Sequence, residues 1–425
     1  MAVCLAGACS LPGGGPPPPQ LKVGVDLPLS GPEARVGVPA LEGVRFYVQQ
    51  HPLLAGFTVS LVVKDDTTGG TAEPPLGATN LASLAGDPLV MGVIGPLDSS
   101  VARAEIPVAN QAQLAMISPA TSSPCLTRSD YLPAALNSAR VAISCKDAGL
   151  VGAADLRPTG VNNFFRLATT DDLQGPAAAD FAYKTLKLLR VATISDHEGY
   201  GQALAAGFAT RFRALGGSVV GRTDADLTAT TDLTPFLKRM KADGAQAIYF
   251  GGVSDHRGCA IRAQMATVFD PGEAVPMLGG DGIAQDPVCI QDAGSNAAGI
   301  FATVPVPNPD DLVGARSTIA AFKAAHPNPA DLGLYTMLAY DATAVLYAAI
   351  ERAIGGSAGG LPPRGNVISQ LSATRGFAGV AGELGFDPNG DTTRRVLSVF
   401  ESPGLDARSP WKPAGQVDYT GALPY

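Results

Sequence analysis

Four small hydroxyl residues crowd one nine-residue stretch, MISPATSSP, from Met116 to Pro124: Ser118, Thr121, Ser122 and Ser123. The apolar run LAMIS leads into them, so the stretch reads as a buried strand passing into a turn. Such a turn suits an anion. Hydroxyls donate without burying a counter-charge, and a helix N-terminus adds uncapped N–H groups. A second stretch, GPLDSSVA, places Ser99 or Ser100 where either can cap a helix beginning at Val101. Elsewhere the chain offers the opposite charge. Asp281 stands in GGDGIAQD, where glycines let the backbone turn tightly and a ligand approach closely. It suits a cation such as an ammonium group, and Tyr200 in SDHEGYG follows another strand. The two sets together could hold a zwitterion, at about 1.5–3 kcal/mol per charge-assisted hydrogen bond. Taken singly, each stretch is more often an ordinary cap or turn than a ligand site.

Other chemistries find less support. Ser254, Asp255 and His256 adjoin one another in GGVSDHRG, but the second glycine of a nucleophile elbow is missing. Neither GxxxxGK[ST] nor a GxGxxG after the first strand occurs. The four histidines and six cysteines form no HExxH, CxxC or other metal spacing. His197 and His256 read as solvent-facing loop residues. The chain is therefore not expected to be an enzyme, and no cofactor or metal is expected.

The elements that must position these residues alternate along the chain. Strand-like LKVGVDLPL, FTVSLVVKDD, LVMGVIGP and LAMIS are separated by helical stretches at Leu41–Gln50, residues 71–85 (loosened by Pro74 and Pro75) and Val101–Gln113. Residues 125–163 break the rhythm and read as a surface insertion. From FFRLATTDDLQGP the alternation restarts: LRVATISD, a helix at Gly201–Leu215, GSVVGRTDAD, a helix at Leu233–Asp243, AQAIYFGG, AVPMLGGDG and GIFATVPV. Helices near Ser317–Ala325 and Leu334–Arg352 and a closing strand follow. Short apolar runs joined by helical crossovers imply an α/β fold of two doubly wound parallel-sheet lobes. In such sheets ligands bind beyond the carboxyl ends of the strands, where the stretches above fall.

The 425 residues are 46% hydrophobic and 16% charged, which favours a globular chain of two or three domains or lobes. A net charge of −8 without a basic cluster argues against nucleic acid or an anionic membrane as partner. The most apolar run, Leu332 to Ile350, carries Asp341 and reads as a core helix. Residues 1–20, MAVCLAGACSLPGGGPPPPQ, cannot pack as a core. Ala6-Gly7-Ala8-Cys9 resembles a bacterial lipobox, which would make Cys9 the lipidated residue and the Pro-rich tract a spacer; the alternative is a disordered tail. Ala6 replaces the usual leucine and no basic region precedes it, as if the true start lay upstream. Cys125, Cys145, Cys259 and Cys289 allow three disulfide pairings, of which Cys125–Cys145 and Cys259–Cys289 are the local ones; four buried free thiols are the alternative.

Taken in order, VGVDLPLSGPEARVG, VKDDTT, VIGPLDSSVARAEIPVANQAQLAMISPATSSP, FFRLATTDDLQGPAAADF, ISDHEGYGQALAAGF, IYFGGV and GELGFDPNGD resemble successive motifs of the branched-chain amino-acid (Leu/Ile/Val-type) receptor family. These are type I periplasmic binding proteins that serve ABC importers. The resemblance runs from Leu21 to about Glu401 and implies two lobes joined by three hinge crossovers, closing on ligand like a flytrap. It implies lobe one at 21–168 plus 306–391, lobe two at 169–305 plus 392–405, an insertion at 125–163 within lobe one, and a C-terminal tail at 406–425. Carried over by position, Ser99, Ser122 and the backbone of Ala120 would grip a carboxylate, with Thr121 beside them. Asp281 would take an amino group, and Tyr200 would form an aromatic wall. Val36 and Val253 stand where leucine-binding members place tyrosines, which enlarges the pocket and argues against leucine, isoleucine or valine. Thr68 and Asp98 replace the family's disulfide near the first-lobe cleft.

The expected function is an extracytoplasmic solute-binding receptor of an ABC importer, lipid-anchored and monomeric. It would capture an amino acid or related amine- or carboxylate-bearing solute and present it to a permease with cytoplasmic ATPases. The alternative is a sensor of the same fold that passes closure to a regulatory partner.

Overall fold

The computed structural model describes residues 18–69, 71–134, 144–227, 231–404 and 411–424. Cys9 and the lipobox-like residues lie outside them, as do residues 135–143 of the expected insertion.

The first lobe opens with β1 (Gln20–Leu27), whose Leu21, Val23, Val25 and Leu27 are fully buried. It continues through α1 (Ala34–Gln50), β2 (Leu53–Leu54), β3 (Phe57–Asp65), the small pair β4 (Thr67–Thr68) and β5 (Thr71–Ala72), and α2 (Pro74–Gly86). Then come β6 (Val90–Ile94), α3 (Ser99–Gln111), β7 (Met116–Ser118) and β8 (Phe164–Arg166). The sheet order is β2-β3-β1-β6-β7-β8, parallel except for β2.

The second lobe holds α4 (Gln174–Asp180), β9 (Arg190–Ser195), α5 (Gly199–Ala214), β10 (Ser218–Asp224), α6 (Thr234–Ala242) and β11 (Ala247–Gly251). It goes on through α7 (Ala260–Val268), β12 (Met277–Gly279), α8 (Pro287–Ala293) and β13 (Ile300–Val304). The chain then leaves for α9 (Arg316–Ala325), α10 (Thr336–Gly355), α11 (Arg364–Ser372) and the hairpin β14 (Phe377–Gly379) and β15 (Gly382–Leu384). It returns in β16 (Val396–Glu401) and β17 (Lys412–Asp418), giving the order β10-β9-β11-β12-β13-β16-β17. The first five strands are parallel; β16 and β17 run antiparallel. Helix α10 packs on α1 and β6 of the first lobe. Its Asp341 is buried and accepts from the N–H groups of Val380 and Ala381, both at 2.8 Å, so the expected core helix carries a satisfied carboxyl.

Both parallel sheets follow one plan. In each, the first strand lies between the second and third, so the topological switch falls between β1 and β6 in one lobe and between β9 and β11 in the other. Three passages of chain join the lobes and lie side by side. Thr169 N donates to Pro305 O at 2.8 Å, Ser398 N to Val306 O at 3.2 Å, and Arg166 N to Gly390 O at 3.1 Å.

Several local expectations need correction. Helix α1 begins at Ala34 rather than Leu41 and encloses Pro39, because one missing N–H in an otherwise well-packed helix does not stop it. Pro74 and Pro75 start α2 instead of loosening it, since the first turn needs no intrahelical N–H. The cap of α3 is Asp98, whose Oδ1 accepts from Ser100 N at 2.6 Å and Val101 N at 3.3 Å, and neither Ser99 nor Ser100 caps it. The segment expected as a tail at 406–425 contributes β17, because the edge of β16 was open to pairing. The cysteines pair locally, Cys125–Cys145 and Cys259–Cys289. The inserted segment is less superficial than expected: Cys125, Cys145, Tyr131 and Leu132 are buried and pack against Ala203 and Ala206 of α5 in the other lobe. His256 is half-buried, with Nδ1 3.0 Å from Asp196, whereas His197 is exposed as expected.

Candidate functional site

A cavity of about 350 Å³ lies beyond the strand ends, lined from the first lobe by Val36, Leu97 and Asp98 and from the second by Asp281, Ala284 and Gln285. Its volume is in the range of small-molecule pockets. Tyr335, just ahead of α10, completes the wall. Arg35 reaches across, its Nη1 donating to Gln285 O at 3.0 Å.

Asp281 follows β12 directly, and the glycines around it are required by close approach. A Cβ on Gly280 would stand 2.3 Å from Leu204 Cδ2, and one on Gly282 2.7 Å from Gly252 O. Oδ1 of Asp281 accepts from Tyr200 Oη at 2.6 Å and from Gln174 Nε2 at 2.8 Å. Gln174 Oε1 accepts in turn from Asp281 N at 2.9 Å, and Tyr200 Oη accepts from Gly282 N at 3.2 Å. One carboxylate oxygen is thus fixed by two side-chain donors.

A second carboxyl shares this cradle. Gln174 Nε2 also donates to Asp171 Oδ1 at 2.9 Å, so one amide nitrogen serves two acids. Asp171 is buried, and Ser122 bonds to its carboxyl. Burial raises both acids above the ordinary carboxyl range; for Asp171 the nearby Asp281 charge adds to the rise, while for Asp281 the Tyr200 and Gln174 bonds oppose it. Burial and the same two charges raise the phenols of Tyr131 and Tyr335. A cation placed here would relieve repulsion among groups the fold already holds together.

The hydroxyl-rich turn is built from beneath. Ser118 Oγ donates to Pro96 O at 2.6 Å and accepts from Thr121 N at 2.9 Å and, less closely, from Ala120 N at 3.2 Å. Ser118 therefore shapes the turn. Ser99 Oγ accepts from Ser123 N at 3.3 Å, tying the start of α3 to the same turn. The hydroxyls of Thr121 and Ser123 are buried and have no hydrogen-bond partner among the described residues. Fully buried Arg166 braces the turn: Nη1 donates to Ser123 O at 2.7 Å and Nη2 to Thr127 Oγ1 at 2.5 Å, while Nε meets Asp391 Oδ1 at 2.7 Å.

Of the residues singled out in the sequence, Val36 and Asp281 line the cavity. Tyr200 touches Asp281, and Val253 lies near the Asp281 backbone, its Cγ1 2.9 Å from where a Cβ of Gly282 would be. Ser122 joins the group through Asp171 and Gln174. Ser99, Ala120 and Thr121 belong to the adjoining turn rather than to the cavity lining. Asp171, Gln174, Tyr335, Arg35, Glu33 and Arg166 were not singled out. For Asp171 and Gln174 the signal was the polar run TTDDLQ just after a strand. The hydrolase arrangement does not form: Ser254 Oγ donates to Gly282 O at 3.2 Å while His256 faces Asp196. Among the described residues no group of three His, Cys, Asp or Glu is placed to hold a metal ion, and no helix is long and apolar enough to cross a membrane.

The periplasmic binding protein family model matches residues 20–404. The chain is 26% identical over 388 residues to the Leu/Ile/Val-binding protein homolog 3 of Brucella melitensis, covering 90% of this chain and 91% of that protein. It is 24% identical over 387 residues to the leucine-, isoleucine-, valine-, threonine- and alanine-binding protein of Pseudomonas aeruginosa, covering 90% and 89%. The leucine-binding protein LivK of Thermotoga maritima shares the fold with a TM-score of 0.66 and 24% identity, over 93% of this chain and 98% of that one. A solute-binding protein of an R. palustris ABC transporter, solved with 4-hydroxybenzoate, does so with the same TM-score and 21% identity, over 94% and 97%. These relatives are binding proteins by name, and of the last two one is named for leucine and the other was solved with 4-hydroxybenzoate, on one fold.

Proposed function

The chain belongs to the periplasmic binding protein family, and from that premise we propose that it is the extracytoplasmic receptor of an ABC importer, capturing an amino acid or related solute by lobe closure. The observation that carries the proposal is the pairing of two unlike polar walls from different lobes. The hydroxyl turn after β7 belongs to the first lobe, and the Asp281 cradle after β12 belongs to the second. In this reading Ser99, Ser122 and the Ala120 N–H take the ligand's carboxylate. Ser122 would exchange its bond to Asp171 for one to the ligand. Asp281, held by Tyr200 and Gln174, takes the amino group.

Closure then needs no covalent step. A ligand that touches both walls only when the lobes approach shifts the equilibrium toward the closed form. Moving it from 1:99 to 99:1 takes about 5.5 kcal/mol of differential binding, within reach of two or three charge-assisted bonds. The units that move are lobe one (21–168 plus 306–391) and lobe two (169–305 plus 392–405), the latter extended by β17. The two disulfides fit an oxidising compartment outside the cytoplasm, with attachment to the membrane through Cys9.

A thermal-shift screen of amino acids, amides and aromatic acids tests the proposal. A ligand at a hundred times its Kd adds about 2.7 kcal/mol of stability. Stabilisation by at least one amino acid is expected; stabilisation by none contradicts the proposal.

A further inference from the structure

The first-lobe wall of the cavity is acidic where a pocket for an aliphatic side chain would be apolar. Glu33 and Asp98 both line it, and both are half-buried. Asp98 uses Oδ1 to cap α3, and its Oδ2 makes no hydrogen bond among the described residues. Behind them stands Asp66, fully buried, with neither carboxyl oxygen partnered among the described residues. Burial first, then the charges of Asp26, Asp98, Asp65 and Glu33, push Asp66 up to about 8. Burial and Asp98 raise Glu33 as well, opposed in part by the Ala72 N–H and Arg35, with a smaller upward contribution from exposed Asp255 of the second lobe. With Asp281, the lining holds three carboxyl groups against one guanidinium, that of Arg35, which is engaged with Gln285 O at the rim.

An aliphatic ligand would bring no positive charge to Glu33 and Asp98. These two acids have the N–H groups of Ala72, Ser100 and Val101 and one nearby guanidinium, Arg35, and closing the lobes over them without a further cation is costly. A second positive charge on the ligand would compensate them, and the apolar atoms of Val36, Leu97 and Leu334 suit the methylene stem that carries it. We propose that the cleft binds a cationic amino acid, with its α-amino group at Asp281 and its distal ammonium or guanidinium group at Glu33 and Asp98. Glu33 is then a residue that determines specificity. This inference rests on the amino-acid receptor reading above and deepens it.

Isothermal titration of the full chain with L-lysine, L-arginine, L-leucine and L-glutamate tests it, followed by the same titrations on Glu33→Gln. Lysine or arginine is expected to bind at least tenfold more tightly than leucine, and Glu33→Gln to reduce that preference at least tenfold. Leucine binding as tightly as lysine and arginine, or a preference unchanged in Glu33→Gln, overturns the cationic assignment while leaving the receptor reading intact. Binding of none of the four in the wild-type protein, with no other amino acid stabilising it, overturns the receptor reading and this inference with it. The wild-type panel decides the question even if the variant folds poorly.

Discussion

Tyr200 donates its phenol proton to Asp281 Oδ1 at 2.6 Å, and this bond lies within the second lobe, from the first turn of α5 to the turn after β12. It orients the carboxylate before any ligand arrives. Tyr200→Phe keeps the ring and removes the donor, so ligand affinity should fall by about 1 kcal/mol, roughly fivefold. Calorimetric titration at pH 7 reads this directly; equal or tighter binding in the variant contradicts the orienting role.

Arg166 holds the hydroxyl turn to the third crossover through Asp391. Burial alone would raise Asp391, but Arg166 and Arg128 more than offset it and hold its carboxyl below the usual range. Arg166→Met leaves buried Asp391 with the more distant Arg128, 3.7 Å away, as its counter-charge and frees the carbonyl of Ser123. A loss of about 3–5 kcal/mol in urea unfolding is expected. A loss under about 1 kcal/mol would show that the brace is dispensable.

Buried carboxyls give the ligand-free protein an unusual pH response. Burial raises Asp341 to about 7 and, with its acidic neighbours, Asp66 to about 8. Between about pH 4 and 8 the folded state therefore holds protons that the unfolded state releases, so stability falls as pH rises. The lowered acids Asp65, Asp87 and Asp391 act in the opposite sense, but only below about pH 4, near and under the unfolded carboxyl pKa. The urea midpoint at pH 5 should exceed that at pH 8. A flat or rising profile over this range contradicts the assignment of these groups as protonated and buried.

Much of the fold was legible because most of the parallel strands, β8 and β10 apart, are short apolar runs that end in or run into a glycine, proline or aspartate. Asp281 stood out for the same reason, as a lone charge among glycines after such a run. Other parts of the site carried no comparable signal. Asp171 and Asp172 are adjacent and chemically alike, yet one meets Gln174 in the cleft and the other pairs with Arg128 at 2.7 Å; only tertiary packing separates them. Glu33 and Arg35 were hidden because the helix is expected only from Leu41, which leaves the first turns of α1 looking like loop. Arg166 ends an apolar strand, FFR, and a terminal charge there reads as solvent-facing until the turn folds over it.

The central claim is that the Asp281 carboxylate takes the ligand's amino group across the cleft. The measurement that tests it most directly is calorimetric titration of wild type and Asp281→Ala with the amino acid that best stabilises the wild-type protein. Removing a charged, pre-oriented acceptor should weaken binding by about 1.5–3 kcal/mol or more, at least tenfold, with the fold retained by circular dichroism. Unchanged affinity in a folded Asp281→Ala protein would contradict it.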